Sequence, residues 1–260
     1  MTAALLEVRG LTRVFGGIKA VDSMSFDAPE GGITGLIGPN GAGKTTVFNL
    51  ITGVYRPTAG TIRLAGESLV GRLPDDVVRA GVARTFQNIR LFARRTCLEN
   101  VTTPILARAS YGPIAAILRT PAARSAERAA REKAFAIMRE LGIEGSASFQ
   151  ASNLPYGMQR KLEIARALAC SPKLVLLDEP AAGMNDAETR ELGETIKRVL
   201  TDFGVTILLI EHHINLVLDI CNHVVVMERG ALLAHGAPGD IRENPAVVEA
   251  YLGRRRRDRA

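Results

Sequence analysis

The chain has 260 residues, 47% of them hydrophobic, and a formal net charge of +6. This length allows one large α/β domain or two small ones. Much of the positive charge lies in "RRRRDR" at 254–259, and only 5% of the residues are aromatic. A nucleic-acid-binding domain is expected to carry a folded basic stripe with stacking aromatics. The composition therefore argues against nucleic acid as a partner, and a solvated, disordered tail is predicted at 254–260.

The three cysteines, Cys97, Cys170 and Cys221, are far apart and form no CxxC pair. This pattern predicts neither a disulfide framework nor a zinc site and favours a reducing cytoplasm. The start, "MTAALLEVRG", lacks the basic region of a signal peptide, and no run of 18 apolar residues occurs. We therefore expect a chain that is soluble by itself.

Strand-like segments dominate the N-terminal part, at 5–11, 24–28 and 33–38. The third runs into a glycine-rich stretch and a helical pattern at 44–52, the strand–loop–helix order of a phosphate-binding unit. A further strand and turn are predicted at 60–69.

Residues 98–141 differ in character, with Ala, Arg and Glu at helical spacing and breakers such as "YGP" at 111–113. They predict a helical subdomain, at approximately 95–170, inserted between two halves of an α/β core. The apolar segment "YGPIAAIL" at 111–118 is too short to span a bilayer, and helix packing is favoured over lipid contact there.

After residue 170, short apolar strands alternate with amphipathic helices. Strands are predicted at 173–180, 205–211 and 223–230, and helices at 186–204 and 214–220. Continuous apolar strands separated by helices are typical of a parallel sheet covered on both faces. The predicted fold class is α/β.

The strongest functional motif is "GPNGAGKTT", which fits G-x-x-x-x-G-K-[ST] between a strand and a helix. Its glycines allow backbone N–H groups to surround a phosphate, and the helix N-terminus adds partial positive charge. Lys44 is predicted to bridge the β- and γ-phosphates, and the Thr45 hydroxyl to ligate Mg²⁺. The residues predicted to bind ATP here are Gly38, Pro39, Asn40, Gly41, Ala42, Gly43, Lys44, Thr45 and Thr46.

Two carboxylates follow a buried strand in "LVLLDEP" at 174–180. Asp178 comes directly after four apolar residues and is predicted to hold Mg²⁺. Glu179 is then free to point at a water and activate it for attack on the γ-phosphate. Together with the phosphate loop, this pair indicates nucleoside triphosphate hydrolysis.

Between these two motifs stands "LPYGMQRKLEIARAL" (154–168), which resembles the signature loop of ATP-binding cassette (ABC) ATPases, typically "LSGGQ". Other parts of that family stand in the order it requires: "RVFGG" (13–17), "TFQNIRLF" (85–92), "AAGMND" (181–186) and "LLIEHHINLV" (208–217). The chain therefore resembles an ABC ATPase.

This resemblance implies roles for residues in each part. Phe15 would stack on adenine, Gln87 would contact Mg²⁺ and the attacking water, and His212 would contact the γ-phosphate. The catalytic set would be Lys44, Gln87, Glu179 and His212, and the metal set Thr45, Gln87 and Asp178. Across a dimer, ATP would also contact Leu154, Pro155, Tyr156, Gly157, Met158 and Asn185, the last standing where Asp is usual.

The resemblance also implies a fold: a single P-loop NTPase domain of the ABC type over residues 1–253. It would contain a RecA-like core sheet, an antiparallel β subdomain and the inserted helical subdomain. Two such domains would pair head to tail with two ATPs buried between them. Hydrolysis would then reopen the pair.

Within the family, the motifs resemble the LivG-type ATPases of branched-chain amino-acid importers. They are "ARTFQNIRLF" (83–92), "ASNLPYGMQRKLEIARAL" (151–168), "DEPAAGMN" (178–185), "LLIEH" (208–212) and "NPAVVEAYLG" (244–253). The partners implied are a second, different ABC ATPase subunit, two membrane permease subunits and, indirectly, a substrate-binding protein. The chain would be peripheral, at the cytoplasmic face of the inner (plasma) membrane, and the solute a branched-chain or other hydrophobic amino acid.

Two alternative functions remain open. A lipopolysaccharide-export ATPase has a similar cassette, but it usually has a shorter helical segment and an intact "LSGG". A soluble ABC ATPase acting on ribosomes or DNA generally carries two cassettes or a long coiled coil.

Pro155 stands where the signature loop usually has serine, and it has neither a hydroxyl nor an N–H. One charge-assisted hydrogen bond to the γ-phosphate, worth about 1.5–3 kcal/mol, would be missing. The fixed φ of proline suits the first turn of the helix that follows. We expect the composite site that uses this loop to hold ATP less tightly than one that uses the partner's loop.

Overall fold

The computed structural model describes residues 3–108, 115 and 117–257. Its contacts divide the chain into two compact units, one formed by Met1–Gln87 with Lys173–Ala260 and the other by Asn88–Pro172. The second unit starts at Asn88, before the approximate start of 95 predicted from the sequence. Within it, the backbone N–H of Phe92 donates to Asn100 Oδ1 at 2.8 Å.

The strands that the structure describes belong to the first unit. In chain order they are β1 (Ala4–Phe15), β2 (Ile18–Pro29), β3 (Ile33–Ile37), β4 (Ala59–Leu64), β5 (Glu67–Ser68), β6 (Val82–Arg84), β7 (Leu174–Asp178), β8 (Thr206–Ile210), β9 (His223–Glu228) and β10 (Ala231–Gly236). They form two sheets, with strand orders β2-β1-β4-β5 and β10-β9-β3-β8-β7-β6.

The six-stranded sheet is parallel except for β10, which pairs antiparallel with β9. Every residue of β3, β7 and β8 is buried, because a parallel sheet is covered on both faces. The four-stranded sheet is antiparallel. The predicted α/β class is therefore confirmed.

The helices are α1 (Lys44–Ile51), α2 (Pro74–Ala80), α3 (Cys97–Leu106), α4 (Pro121–Glu140), α5 (Tyr156–Leu168), α6 (Asp186–Phe203), α7 (Ile214–Ile220), α8 (Pro238–Glu243) and α9 (Pro245–Arg257). Of these, α3, α4 and α5 belong to the second unit, together with 3-10 turns at Glu144–Ser146 and Ala151–Asn153. Within the described ranges, no helix is both long and apolar enough to cross a bilayer.

One hydrophobic cluster joins α1 to both sheets of the first unit. Phe48 of α1 is fully buried in it, with Leu6 of β1, Leu36 of β3 and Leu176 of β7. Each such buried side chain stabilises the fold by about 1.5–3 kcal/mol. The helix that follows the phosphate loop is thus fixed by the core on both sides.

Two expectations from the sequence fall at the edges of the described chain. The tail was expected to be disordered from residue 254, whereas helix α9 continues to Arg257, consistent with the good helix propensity of arginine. Residues 258–260 lie outside the described residues, as do 111–114 and 116 of the apolar segment "YGPIAAIL".

Candidate nucleotide site

The phosphate loop is held by close backbone packing that only glycine permits at two of its positions. Gly43 has φ +102, and a Cβ there would lie 2.3 Å from the carbonyl oxygen of Ala20 in β2. A Cβ on Gly38 would lie 2.2 Å from the carbonyl oxygen of Met227 in β9. These glycines let the loop lie directly against two strands.

Lys44, the first residue of α1, folds its side chain back over the loop. Its Nζ donates to the carbonyl oxygens of Gly38 at 2.7 Å and Pro39 at 3.0 Å. The loop is also anchored from outside, since the N–H of Gly230 donates to the carbonyl oxygen of Ala42 at 2.9 Å. The ammonium group is therefore held against the loop by two of the loop's carbonyl oxygens.

A cavity of about 870 Å³ opens over this loop. Residues distant in sequence line it together with Asn40–Thr46: Gln87, Glu179 and His212. The cavity wall also includes Ile18–Ala20, Arg229 and Gly230, none of which was predicted as a site residue. Four predicted catalytic side chains thus meet at one concave site.

Glu179 is the centre of this group. Its Oε2 accepts a hydrogen bond from Gln87 Nε2 at 2.6 Å, and its Oε1 contacts His212 Nε2. Its backbone has φ +49, a left-handed conformation that costs a non-glycine residue of order 1–3 kcal/mol. Glu179 is the first residue after β7.

Asp178, one residue earlier, is held by a buried ion pair. Its Oδ2 accepts from Arg84 NH2 at 2.7 Å. Carboxylate and hydroxyl oxygens, here from Asp178 and Thr45, are the ligands that Mg²⁺ prefers. Among the described residues, no group of three or more acidic, His or Cys side chains is placed to hold a metal. Thr45 lines the cavity, whereas Asp178 is buried and is not among the described lining residues. Both supply the type of oxygen that suits Mg²⁺ together with water and phosphate oxygens.

Glu211 is a functional candidate that the sequence reasoning missed. It follows β8 and is only 1% exposed. Its Oε1 accepts from the N–H of Ala181 at 2.7 Å, and its Oε2 from the N–H groups of His212 at 3.0 Å and His213 at 3.4 Å. One carboxylate thus ties the segment after Glu179 to the segment that carries His212. A glutamate directly after a buried apolar strand was the available signal.

Phe15 is not one of the described residues that line the cavity. Its partner across the β1–β2 turn, Ile18, does line the cavity. Its ring meets that of Tyr55 edge-on, with centroids 5.2 Å apart. The guanidinium of Arg13 lies 4.4 Å from the ring centroid of Phe15. The ring is 37% exposed.

The signature-loop residues, Leu154 to Met158, belong to the second unit. Pro155 is the N-cap of α5, with φ −53 and ψ 151 and no side-chain capping bond, rather than a residue of the first turn. Arg160 NH2 donates to the Tyr156 hydroxyl at 2.7 Å, and Arg160 NH1 to Glu163 Oε2 at 3.2 Å. The loop is thus braced from within its own helix.

Asn185 has a structural role at the start of α6. Its Oδ1 accepts from the N–H groups of Ala187 at 2.9 Å and Glu188 at 3.0 Å, and Glu188 completes a capping box. Such a cap stabilises a helix by about 0.5–2 kcal/mol. Its predicted contact with ATP stays a prediction.

A phosphate loop between β3 and α1, with paired carboxylates at the end of β7, a parallel strand separated from β3 by β8 in the same sheet, defines a P-loop nucleotide hydrolase. Comparison with known proteins makes the class specific. Residues 21–182 match the family model described as ABC transporter. Residues 231–256 match the model described as branched-chain amino acid ATP-binding cassette transporter. The chain belongs to the ABC transporter family, as its motifs had indicated.

Relatives match the chain over nearly its whole length. The high-affinity branched-chain amino acid transport ATP-binding protein BraF of Pseudomonas aeruginosa is 46% identical, covering 97% of this chain and 99% of BraF. The protein LivG of Escherichia coli, described in the same terms, is 45% identical with the same coverage. The ADP-bound crystal structure of MJ1267, an ATP-binding cassette of an ABC transporter, superposes with a TM-score of 0.85 at 30% identity, covering 97% of this chain and 100% of MJ1267.

Proposed function

We propose that the chain is the ATP-binding and ATP-hydrolysing subunit of an ABC importer for branched-chain or other hydrophobic amino acids. The observation that carries the ATPase part is the meeting of Lys44, Gln87, Glu179 and His212 at one cavity. The solute class rests on the relatives named for branched-chain amino-acid transport and on the C-terminal match at residues 231–256.

ATP binds with its phosphates in the loop from Gly38 to Thr46. Lys44 turns from the carbonyl oxygens of Gly38 and Pro39 to the β- and γ-phosphates, because phosphate oxygens carry more charge than carbonyl oxygens. Thr45, Asp178 and Gln87 would hold Mg²⁺ through oxygen atoms. The ion would supply positive charge that neutralises the charge developing on the phosphates.

Glu179 is the general base. It takes a proton from water as the water oxygen bonds to the γ-phosphorus and the bond to the ADP oxygen breaks. Gln87 and His212 already hold both oxygens of this carboxylate, so they fix its direction before the water attacks the γ-phosphorus. The barrier then contains little reorganisation of the base.

The complete hydrolytic site forms between two cassettes. The signature loop of one ATPase subunit contacts the nucleotide in the phosphate loop of the other, through the backbone of Gly157 and its neighbours and the positive end of α5. We assign the partner to a second, different ABC ATPase subunit. Asn185 lies at the same interface.

A groove of about 880 Å³ in the second unit is suited to a permease helix. Its walls include Phe92, Leu98 and Phe135, and two of these rings are 49% and 43% exposed. Arg95, Glu99, Glu127 and Arg131 also line it. An apolar groove flanked by charges fits an amphipathic helix. Two permease subunits would hold the chain at the cytoplasmic face of the inner membrane, and a substrate-binding protein would deliver the solute.

Uptake of radiolabelled leucine by a strain of the source organism lacking this gene tests the proposal. Complementation by wild type should restore uptake, and Lys44→Ala should not, because it removes the phosphate-binding ammonium and weakens ATP binding. Lys197→Ala, which removes a surface lysine paired with Glu194, is the matched control and should complement fully.

Equal uptake with Lys44→Ala and wild type would contradict the ATPase role. Copurification of the chain with ribosomes that persists after deletion of the permease genes would overturn the transport role. Restored lipopolysaccharide export without restored uptake would favour the exporter instead.

A further inference from the structure

We propose that Arg84 is a positioning residue that orients Asp178 toward the Mg²⁺–nucleotide complex. This inference rests on the proposed function, because it takes Asp178 to be a Mg²⁺ ligand. Neither Arg84 nor Asp178 is among the described residues that line the nucleotide cavity, but Asp178 directly precedes Glu179, which does line it. Arg84 therefore acts on the nucleotide indirectly, through the end of β7 that carries Asp178.

The ion pair between Arg84 and Asp178 is almost completely shielded from solvent. Arg84 NH2 donates to Asp178 Oδ2 at 2.7 Å, and the two side chains are 7% and 4% exposed. Burying two charges is costly, so such a pair persists only where its geometry is good. The hydrogen bond is made to Oδ2, one of the two carboxylate oxygens, and it therefore fixes how the carboxylate is rotated.

Arg84 is itself fixed by the helix of the phosphate loop. Its NH1 donates to Asn49 Oδ1 at 2.7 Å, and its guanidinium lies 5.5 Å from the ring centroid of Phe48. Both residues belong to α1, which begins with Lys44. The ring of Phe86 lies 5.1 Å from the guanidinium. Arg84 therefore connects the phosphate-loop helix to the strand end that carries Asp178.

The arrangement depends on the shape of arginine. A planar guanidinium presents several donors in a rigid fork, so Asn49 and Asp178 are bound at once from different nitrogens. A lysine ammonium on its flexible stem is a point charge without this fork. Lysine would preserve the positive charge but not the fixed direction of Asp178.

The test measures how much Mg²⁺ strengthens nucleotide binding. The probe is AMP-PNP, a non-hydrolysable ATP analogue, and its Kd is measured by titration calorimetry with Mg²⁺ and with EDTA. The ratio of the two Kd values is the Mg²⁺ gain. Substituting groups that orient metal ligands lowers metal affinity by about 10- to 100-fold, so Arg84→Met should reduce the gain by about tenfold or more. The Kd in EDTA should stay within about twofold of wild type.

Two comparisons separate positioning from general destabilisation. Arg84→Lys should restore only part of the gain. In an Asp178→Asn background, Arg84→Met should cause no further loss, and this double variant avoids leaving a buried carboxylate unpaired. Arg9→Met is the matched control, since Arg9 pairs with Asp27 at an exposed site on β1 and β2. It should keep the full gain.

Three results would overturn the inference: a wild-type gain in Arg84→Met, an equal loss of affinity with and without Mg²⁺, or a further loss in the Asp178→Asn background. If Arg84→Met does not fold, Arg84→Lys with and without Asp178→Asn gives the same decision. Failure of the proposed function is distinguishable, because wild type would then bind no AMP-PNP or show no Mg²⁺ gain.

Discussion

Replacing Glu211 by glutamine should destabilise the protein although the residue touches no predicted ligand. The carboxylate is buried and accepts hydrogen bonds from three backbone N–H groups, those of Ala181, His212 and His213. Glutamine keeps one oxygen acceptor. Its amide nitrogen replaces the other oxygen and faces an N–H donor instead.

The expected magnitude follows from the bond lengths. Two of the bonds are short, at 2.7 Å to Ala181 and 3.0 Å to His212, and the third is long. A hydrogen bond to a charged group contributes about 1.5–3 kcal/mol. Glu211→Gln should therefore lower the free energy of unfolding by about 1.5–3 kcal/mol, and Glu211→Ala by about 3–6 kcal/mol, since it loses both short bonds.

Urea unfolding followed by circular dichroism measures this change. Glu194→Gln is the matched control, because Glu194 is 69% exposed and pairs with Lys197, and surface changes stay within about 0.5 kcal/mol. ATP turnover by Glu211→Gln should also fall, because Glu211 holds the backbone of His212. An unfolding free energy for Glu211→Gln equal to that of Glu194→Gln would show that these hydrogen bonds do not stabilise the fold.

Two further predictions concern Pro155 and His223. Pro155→Ser adds a side-chain cap to α5 and a hydroxyl donor, so the lifetime of the ATP-bound heterodimer, measured by gel filtration, should increase. An unchanged lifetime would mean that only backbone groups of the signature loop contact the γ-phosphate. Burial and the nearby His235 lower the pKa of His223 from its ordinary 6.5, although Asp27 raises it. The neutral form is favoured in the folded state, so this contribution to stability is present above pH 6.5 and is lost as pH falls through the folded pKa. His223→Gln should flatten that part of the urea stability–pH curve, and an identical curve for wild type and variant would count against it.

The fold was largely predictable because its signals are local. The strand, phosphate loop and start of α1 occupy consecutive residues, and each step has its own sequence requirement: apolar residues in β3, glycines at Gly38 and Gly43, and a helix pattern from Lys44. Parallel strands such as β7 and β8 were recognisable from continuous apolar runs. The family followed from the order of the motifs.

The supporting polar contacts were not predictable because they join residues distant in sequence. Arg84 and Asp178 are 94 positions apart, and Glu211 and Ala181 are 30 apart. Which arginine meets which carboxylate depends on the strand order β8-β7-β6, which no local pattern specifies. The predicted place of Pro155 in the first turn of α5 was also inexact, because the residue is the N-cap. Proline is compatible with both the N-cap and the first turn, so the sequence alone did not fix its position.

We propose Glu179 as the base of an ATPase whose nucleotide lies in the cavity above the phosphate loop. The most direct measurement compares ATP hydrolysis and ATP binding by wild type and Glu179→Gln, each with its partner ATPase subunit. Loss of a general base lowers the rate by about 10²–10⁴-fold. We predict a loss of turnover of that size, with ATP still bound and the dimer trapped closed. Turnover at the wild-type rate would contradict the claim.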